Sequence, residues 1–290
     1  MRGNGVNETE RGPAFAIATG TFQGLVVVSE FVQSTVRPTI GQIGIKDDAG
    51  AVLLGQLLRV DAWLRTLRKL DHPGDFQAVA SATRALLEAT VDVVLVHHSP
   101  ADHKQLLAWE ESSKLNYAEK LVAYFQRESG ATPHQHRSVV EFASTQRSRV
   151  EALRRHYGWE DKKKTKTRHP ERWTNHNLAD DVKAADKFGH KFQFESFYEV
   201  EYRKLCWMVH GSALAVRQIS TDIFPGLTGL LFPSCGDLGF LASELVLRHL
   251  GGWSADVETK FEDARQRRNV VVAQTMRSVQ GQPPLEGESR

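Results

Sequence analysis

Apolar side chains recur at three- and four-residue spacing along most of this chain. The clearest case is residues 50–70, GAVLLGQLLRVDAWLRTLRKL, where Leu53, Leu57, Val60, Leu64, Leu67 and Leu70 line one side and basic residues lie between them. That period predicts an amphipathic helix. Asp71, Pro73 and Gly74 predict a turn, and residues 75–98, DFQAVASATRALLEATVDVVLVHH, a second strong helix with Asp75 placed to cap it. Residues 101–127 and 137–157 keep the period but are more polar, as outer helices are. Between them and the C-terminal half lies a basic, Pro-broken loop, GWEDKKKTKTRHPERW, from Gly158 to Trp173. A short helix is expected over 177–188 and a long one over 194–218. Pro225, Gly226 and Gly229 then predict a break from Thr221 to Pro233, followed by helices over 237–250 and 255–279. Near the start, residues 22–36 read as a helix, although LVVV alone would suit a buried strand, and Pro38 should end either one.

These elements make an all-α chain. The expectation is a single multi-helix, bundle-like domain over residues 14–279, between a disordered leader (1–13) and a disordered tail (280–290). No internal repeat and no long Gly/Ser linker divides it. With 41% hydrophobic and 25% charged residues, the 290-residue chain has material for a sizeable core, which excludes disorder as its dominant state. Lys+Arg minus Asp+Glu is 37 − 35 = +2, too balanced for a protein whose whole surface grips nucleic acid. Two cysteines, Cys206 and Cys235, exclude a disulfide-stapled scaffold. No unbroken apolar run reaches the ~18 residues of a membrane span. The nearest, Leu227 to Leu250, is interrupted by Asp237, Glu244 and Arg248. The N-terminal stretch lacks the pattern of a secretory signal, so no membrane association and a cytoplasmic location are expected.

Two constellations hold chemistry-bearing side chains. Arg84, Glu88 and Asp92 stand at i, i+4 and i+8, one above another on an otherwise apolar helix. Such a stripe either faces water or is buried in pairs, because an unpaired buried charge is costly. Its bland reading is an intrahelical salt bridge or core network; its functional reading is a polar pocket inside the bundle. Further on, Glu199, Arg203, Cys206 and His210 are spaced to share a face. Arg203 and His210 stand about two turns, ~10 Å, apart, close enough to converge on a phosphate-sized group. Arginine clamps phosphate and histidine is the ordinary acid/base near neutral pH. The alternative for His210 is a hydrogen-bonded histidine that locks two helices.

Histidine groups that could hold a metal are His97-His98 with His103, His134-x-His136, and His169 with His176. None has a strong zinc spacing, so neither a metal nor any other cofactor is expected. Lys162, Lys163, Lys164, Lys166, Arg168 and Arg172, flanked by Trp159 and Trp173, would suit an RNA backbone; they would equally suit a solvated loop.

The helix SATRALLEATVDVVLV, a Trp after the basic loop, and the segment YRKLCWMVHGS together resemble the bacterial helical family catalogued as domain of unknown function 5677. The resemblance spans residues 50–220 and is carried by Arg84, Glu88, Trp173, Tyr202 and His210. Cys206 stands where that family has a small hydroxyl residue. More distantly, Arg203 and His210, with six residues between them, resemble the Arg-x(4–6)-His motif of the higher-eukaryote and prokaryote nucleotide-binding (HEPN-like) helical domains. Many of those are ribonucleases of toxin and antiviral systems.

Two functions follow as the main expectations, beside a third in which Glu88, Asp92 and His210 serve a metal-dependent helical-bundle enzyme. One is a helical interaction module, its partner protein unidentified, in which Arg84, Glu88, Asp92, Trp173, Tyr202 and His210 fix helix register. The other is a metal-independent endoribonuclease of a toxin or phage-defence type, with Arg203 on the phosphate and His210 as general acid/base. It would act as a homodimer, with RNA on the 162–172 loop.

Overall fold

The computed structural model describes residues 12–70, 75–129, 136–159, 169–209 and 223–282. Among them there is no strand, and the all-α expectation holds. The helices are α1 (Pro13–Phe31), α2 (Arg37–Ile43), α3 (Asp48–Leu67), α4 (Phe76–His98), α5 (His103–Ser129), α6 (Arg137–His156), α7 (Leu178–Asp186), α8 (Phe194–Phe197), α9 (Arg203–Val209), α10 (Ile223–Leu250) and α11 (Ala255–Val279). The predicted turn at 71–74 lies outside the described residues. Contacts gather the chain into two compact units, residues 1–98 with 185–290, and residues 99–184.

The first unit is a bundle in which α1 packs on α10 and α11, while α4 packs on α3 and α10. Its centre is made by the periodic positions read from the sequence: Leu53, Leu57, Val60, Leu64 and Leu67 from α3, with Leu86, Val93 and Val96 from α4, are all fully buried. Asp47 caps α3 by accepting from the Gly50 N–H at 2.6 Å, and Ser254 caps α11 by accepting from Val257 N–H at 3.3 Å. Close helix approach rests on glycine. A Cβ on Gly20 would meet the Thr275 side chain at 1.8 Å, and one on Gly229 would meet the Ala18 backbone at 3.0 Å.

Two prolines overturn predicted boundaries. Pro38 does not end the first helical segment. A π-turn, Val32–Val36, joins α1 to α2, with Arg37 N–H donating to the Val32 carbonyl across five residues. The widened turn carries the chain through Pro38, which then occupies the first turn of α2. Pro233, likewise, sits inside α10 rather than closing a break, and the described part of the expected 221–233 break is helical. The Pro233 carbonyl accepts from the Arg268 guanidinium at 2.7 Å, and Arg268 also pairs with Asp237 at 2.7 Å, tying α11 to α10 at the proline.

The same continuity changes the membrane expectation. Two described helices, Pro13–Ile43 and Gly226–Leu250, are long and apolar enough to cross a membrane by length and composition. Their scattered Thr, Ser, Gln and Gly hide this from a search for unbroken apolar runs. Packing inside the structure covers 44% of the first apolar window and 67% of the second.

The second unit is built on α5 and α6, which pack on each other through Leu115, Ala118, Ala143 and Val150. Their outer surfaces mix polar residues with exposed Leu107, Tyr117, Tyr124 and Phe142.

Candidate functional site

In the first unit the stripe on α4 meets the segment α8–α9. Between those two short helices Tyr198–Tyr202 forms a π-turn, closed by the Arg203 N–H donating to the Tyr198 carbonyl. Tyr202, 7% exposed, donates its hydroxyl proton to Glu88 Oε1 at 2.6 Å. The Arg84 guanidinium lies over the Tyr202 ring, 5.3 Å from its centroid, and hydrogen-bonds the same side chain. Tyr202 thus bridges the i and i+4 members of the stripe from a position 114 residues away in sequence. Half-buried Cys206, four residues on, bears electrostatically on both Tyr202 and Arg84.

Burial is the largest influence on the Tyr202 phenol and holds its pKa above the usual tyrosine range, reinforced by the hydrogen bond to Glu88 and its charge. The hydroxyl therefore stays a donor. Burial acts against the Arg84 charge, but the hydrogen bond to Tyr202 and the fields of Tyr202, Cys206 and Glu88 outweigh it, and its pKa is raised. Asp92 completes the stripe and is buried on the same helix.

The other predicted residues are distributed differently. Cys206 is half-buried four residues after Tyr202, whereas Arg203 points out with 66% of its side chain exposed and pairs with Glu199 at 2.7 Å. Tyr202 and Cys206, four residues apart, make the buried side of this helix, and Arg203 and Lys204 the exposed side. His210 lies outside the described residues, as do Lys162, Lys163, Lys164, Lys166 and Arg168. Trp173 is buried in the second unit, where its carbonyl accepts from Gln105 at 2.6 Å. Arg172, from the same loop, is engaged by Asp181 rather than left to solvent. Cys235 is fully buried against Thr83, with Oγ1 and Sγ 3.2 Å apart, and burial pushes its thiol up to about 12.

Three further groups lie outside the constellations read from the sequence. Asp61 of α3, 1% exposed, accepts from Gln33 and faces Arg65 at 3.3 Å and Arg37 at 3.7 Å. Its place between Val60 and Leu64 on the apolar arc, with Arg65 four residues on, is a legible signal. In the second unit, buried Arg154 donates through Nε to Ser112 Oγ at 2.8 Å and through a terminal nitrogen to the Ser112 carbonyl at 3.3 Å. His169 bridges Ser112 (3.1 Å) and Ser113 (3.3 Å) and stacks near Trp109, whose indole N–H donates to the Pro170 carbonyl at 3.0 Å. Burial lowers the pKa of both Arg154 and His169.

The third group replaces one of the predicted histidine sets. His97 and His98 are not joined by His103, whose Nδ1 lies 2.6 Å from the Pro100 carbonyl. They adjoin His190 and His249 instead, with the His98 and His190 Nε2 atoms 3.0 Å apart and the His97 and His249 rings 5.9 Å apart. His136 stacks on Phe125, His176 is exposed, and His134 lies outside the described residues. Among the described residues no group of three or more His, Cys, Asp or Glu side chains is arranged to hold a metal.

Two cavities among the described residues do not touch the Arg84–Glu88–Tyr202 cluster. One, about 610 Å³, is lined by His190, Glu244, Arg248, Trp253, Phe261 and Arg265 among others. The second, about 530 Å³, lies between Phe15–Gly20 and Gln274–Val279.

Comparison with curated proteins and with solved structures returns no match. Residues 52–222, more than half of the chain, match the Family of unknown function (DUF5677), a span that holds Arg84, Glu88, Tyr202 and the whole second unit. The chain belongs to that family.

Proposed function

We propose that this protein is a helical interaction module and that the Arg84–Glu88–Tyr202 cluster is a register lock. One observation carries this reading. The Tyr202 hydroxyl is buried, held by Glu88 and covered by Arg84, away from both large cavities. A group so enclosed does not meet a substrate; it makes one pairing of α4 with the Tyr198–Val209 segment better than any slipped alternative. Asp92 extends the polar stripe toward the end of α4. Binding then falls to exposed surface, with a protein partner in the cytoplasm as the expectation.

A second reading is favoured by one observation, the exposure of Arg203. A guanidinium held only by a solvent-screened i,i+4 pair is free to take a phosphate oxygen instead. A metal-independent ribonuclease built on Arg203 and His210 would use it so, as a homodimer with Lys162–Arg168 along the RNA.

The deciding experiment incubates the purified chain with mixed RNA in EDTA, beside Arg203→Ala and His210→Ala variants matched in fold by circular dichroism. No cleavage by any of the three is the result expected of an interaction module. Cleavage by the wild type that disappears in both variants overturns it in favour of the nuclease.

A further inference from the structure

Among the described residues, His98 and His190 bring two ring nitrogens together outside the cluster described above. His98 ends α4, and its ring is stacked on Phe188 at 4.0 Å with 7° between planes, which fixes its direction. His190 follows Gly189, whose φ of 73° reverses the chain in a conformation that favours glycine. The reversal brings the His190 ring back so that its Nε2 faces that of His98 across 3.0 Å.

We propose that His98 and His190 form a chelating pair for a divalent transition-metal ion of the zinc, nickel or copper class, with water completing its coordination. The geometry suits it. At a metal–nitrogen distance of ~2.0–2.1 Å, two nitrogens 3.0 Å apart subtend roughly 95° at the ion, close to cis octahedral or square ligation; opening by ~0.3 Å would make the pair tetrahedral. Imidazole is a preferred ligand for these metals, and both facing atoms are Nε2, leaving each Nδ1 to carry the ring proton.

The surroundings favour a cation. The pair sits at the C-terminal end of a 23-residue helix, where the backbone presents the negative end of its dipole. Glu244 bears on His190 and lines the same 610 Å³ cavity. That cavity reaches His190, with Lys191, Arg248 and Arg265 also on its walls, and His98 is itself exposed, so water has room at both rings. With two protein ligands the site keeps open positions, as a metal centre that handles a substrate does and a purely structural zinc site does not.

The competing account is a hydrogen bond between two neutral imidazoles, which needs no ion. Calorimetric titration of the untagged, full-length chain with Zn²⁺ and with Ni²⁺ separates the two. The proposal expects saturable binding of one ion per chain that His98→Ala and His190→Ala each weaken by roughly tenfold or more, while His156→Ala, an exposed histidine of the other unit, leaves it unchanged. His190 lies in an irregular segment, so His190→Asn provides a second variant should His98→Ala fail to fold. Absence of saturable binding, or binding that survives His190→Asn at full affinity, overturns the site.

Discussion

The two compact units each set an arginine beside a hydroxyl, half-buried Arg84 in the first and buried Arg154 in the second, and they satisfy it in opposite ways. In the first, Arg84 shares Tyr202 with a carboxylate, Glu88, so that positive and negative charge meet in one half-buried cluster. In the second, Arg154 is 7% exposed and spends its nitrogens on the hydroxyl and carbonyl of Ser112, both neutral acceptors. The direction of the pKa shift follows. Arg84 is held above its ordinary value, whereas Arg154 is lowered by burial, against which the more distant Glu119 and Glu151 contribute only in part. A paired cluster contributes to both stability and register, while an arginine among neutral acceptors contributes mostly through its alkyl stem and costs something for its charge.

The largest expected effect tests the paired side. Tyr202→Ala removes a buried ring together with its hydroxyl and should cost ~3–5 kcal/mol. Tyr202→Phe removes only the donor to Glu88 and should cost ~1–2 kcal/mol, read as a lower urea midpoint at constant m. A Phe variant as stable as the wild type would leave the cluster without its lock.

The neutral-acceptor side should respond less. Arg154→Met keeps much of the stem and discards the charge, so it should cost under ~1.5 kcal/mol. It should also soften a pH dependence. His169 has its pKa lowered first by burial and then by Arg154 and Lys120, so in the folded chain it binds its proton later than the unfolded chain does, whose value is 6.5. The stability from neutral His169 is therefore fully present above that unfolded value and is lost as pH falls below 6.5 toward the folded pKa. Unfolding midpoints measured at pH ~7 and ~5 should fall less in Arg154→Met, and least in His169→Gln. An unchanged pH slope in His169→Gln would break the link.

Smallest of all is Arg203→Ala. Both partners of its pair are in water, so the urea midpoint should not move measurably, whatever the variant does to RNA. A clear loss of stability would place Arg203 among the structural groups and sharpen the contrast with Arg84.

How much of this was legible in the sequence depends on distance along the chain. The helices around Leu53–Leu67 and Leu86–Val96 announce themselves because burial on one side imposes a local period. Arg84 and Glu88 are legible for the same reason, being one turn apart. Their third member is not, since Tyr202 reaches Glu88 across 114 residues, and neither is Ser112 with Arg154 and His169, 42 and 57 residues away. The spacing of Arg203 and Cys206 does not tell their exposure, which differs because Cys206 lies beside buried Tyr202 while Arg203 faces water. Pro38 and Pro233 mislead as stop signals because the rule is local: a π-turn precedes Pro38, and Pro233 lies within a helix that is held by its packing on α1 and α4.

The π-turn at Val32–Val36 has a meaning as a splice. A π-turn is what a helix makes of one surplus residue, and that residue sets everything before it about 100° out of phase with everything after it. The stretch from Pro13 to Ile43 therefore carries two independent apolar phases: Ala18, Leu25 and Val28 follow one, Ile40 the other. Deleting a single residue between Val32 and Val36 would remove the widened turn ahead of Pro38 and would also turn Gly20 away from Thr275 or Ile40 away from the core. For this segment the count of residues is as much a constraint as their identity.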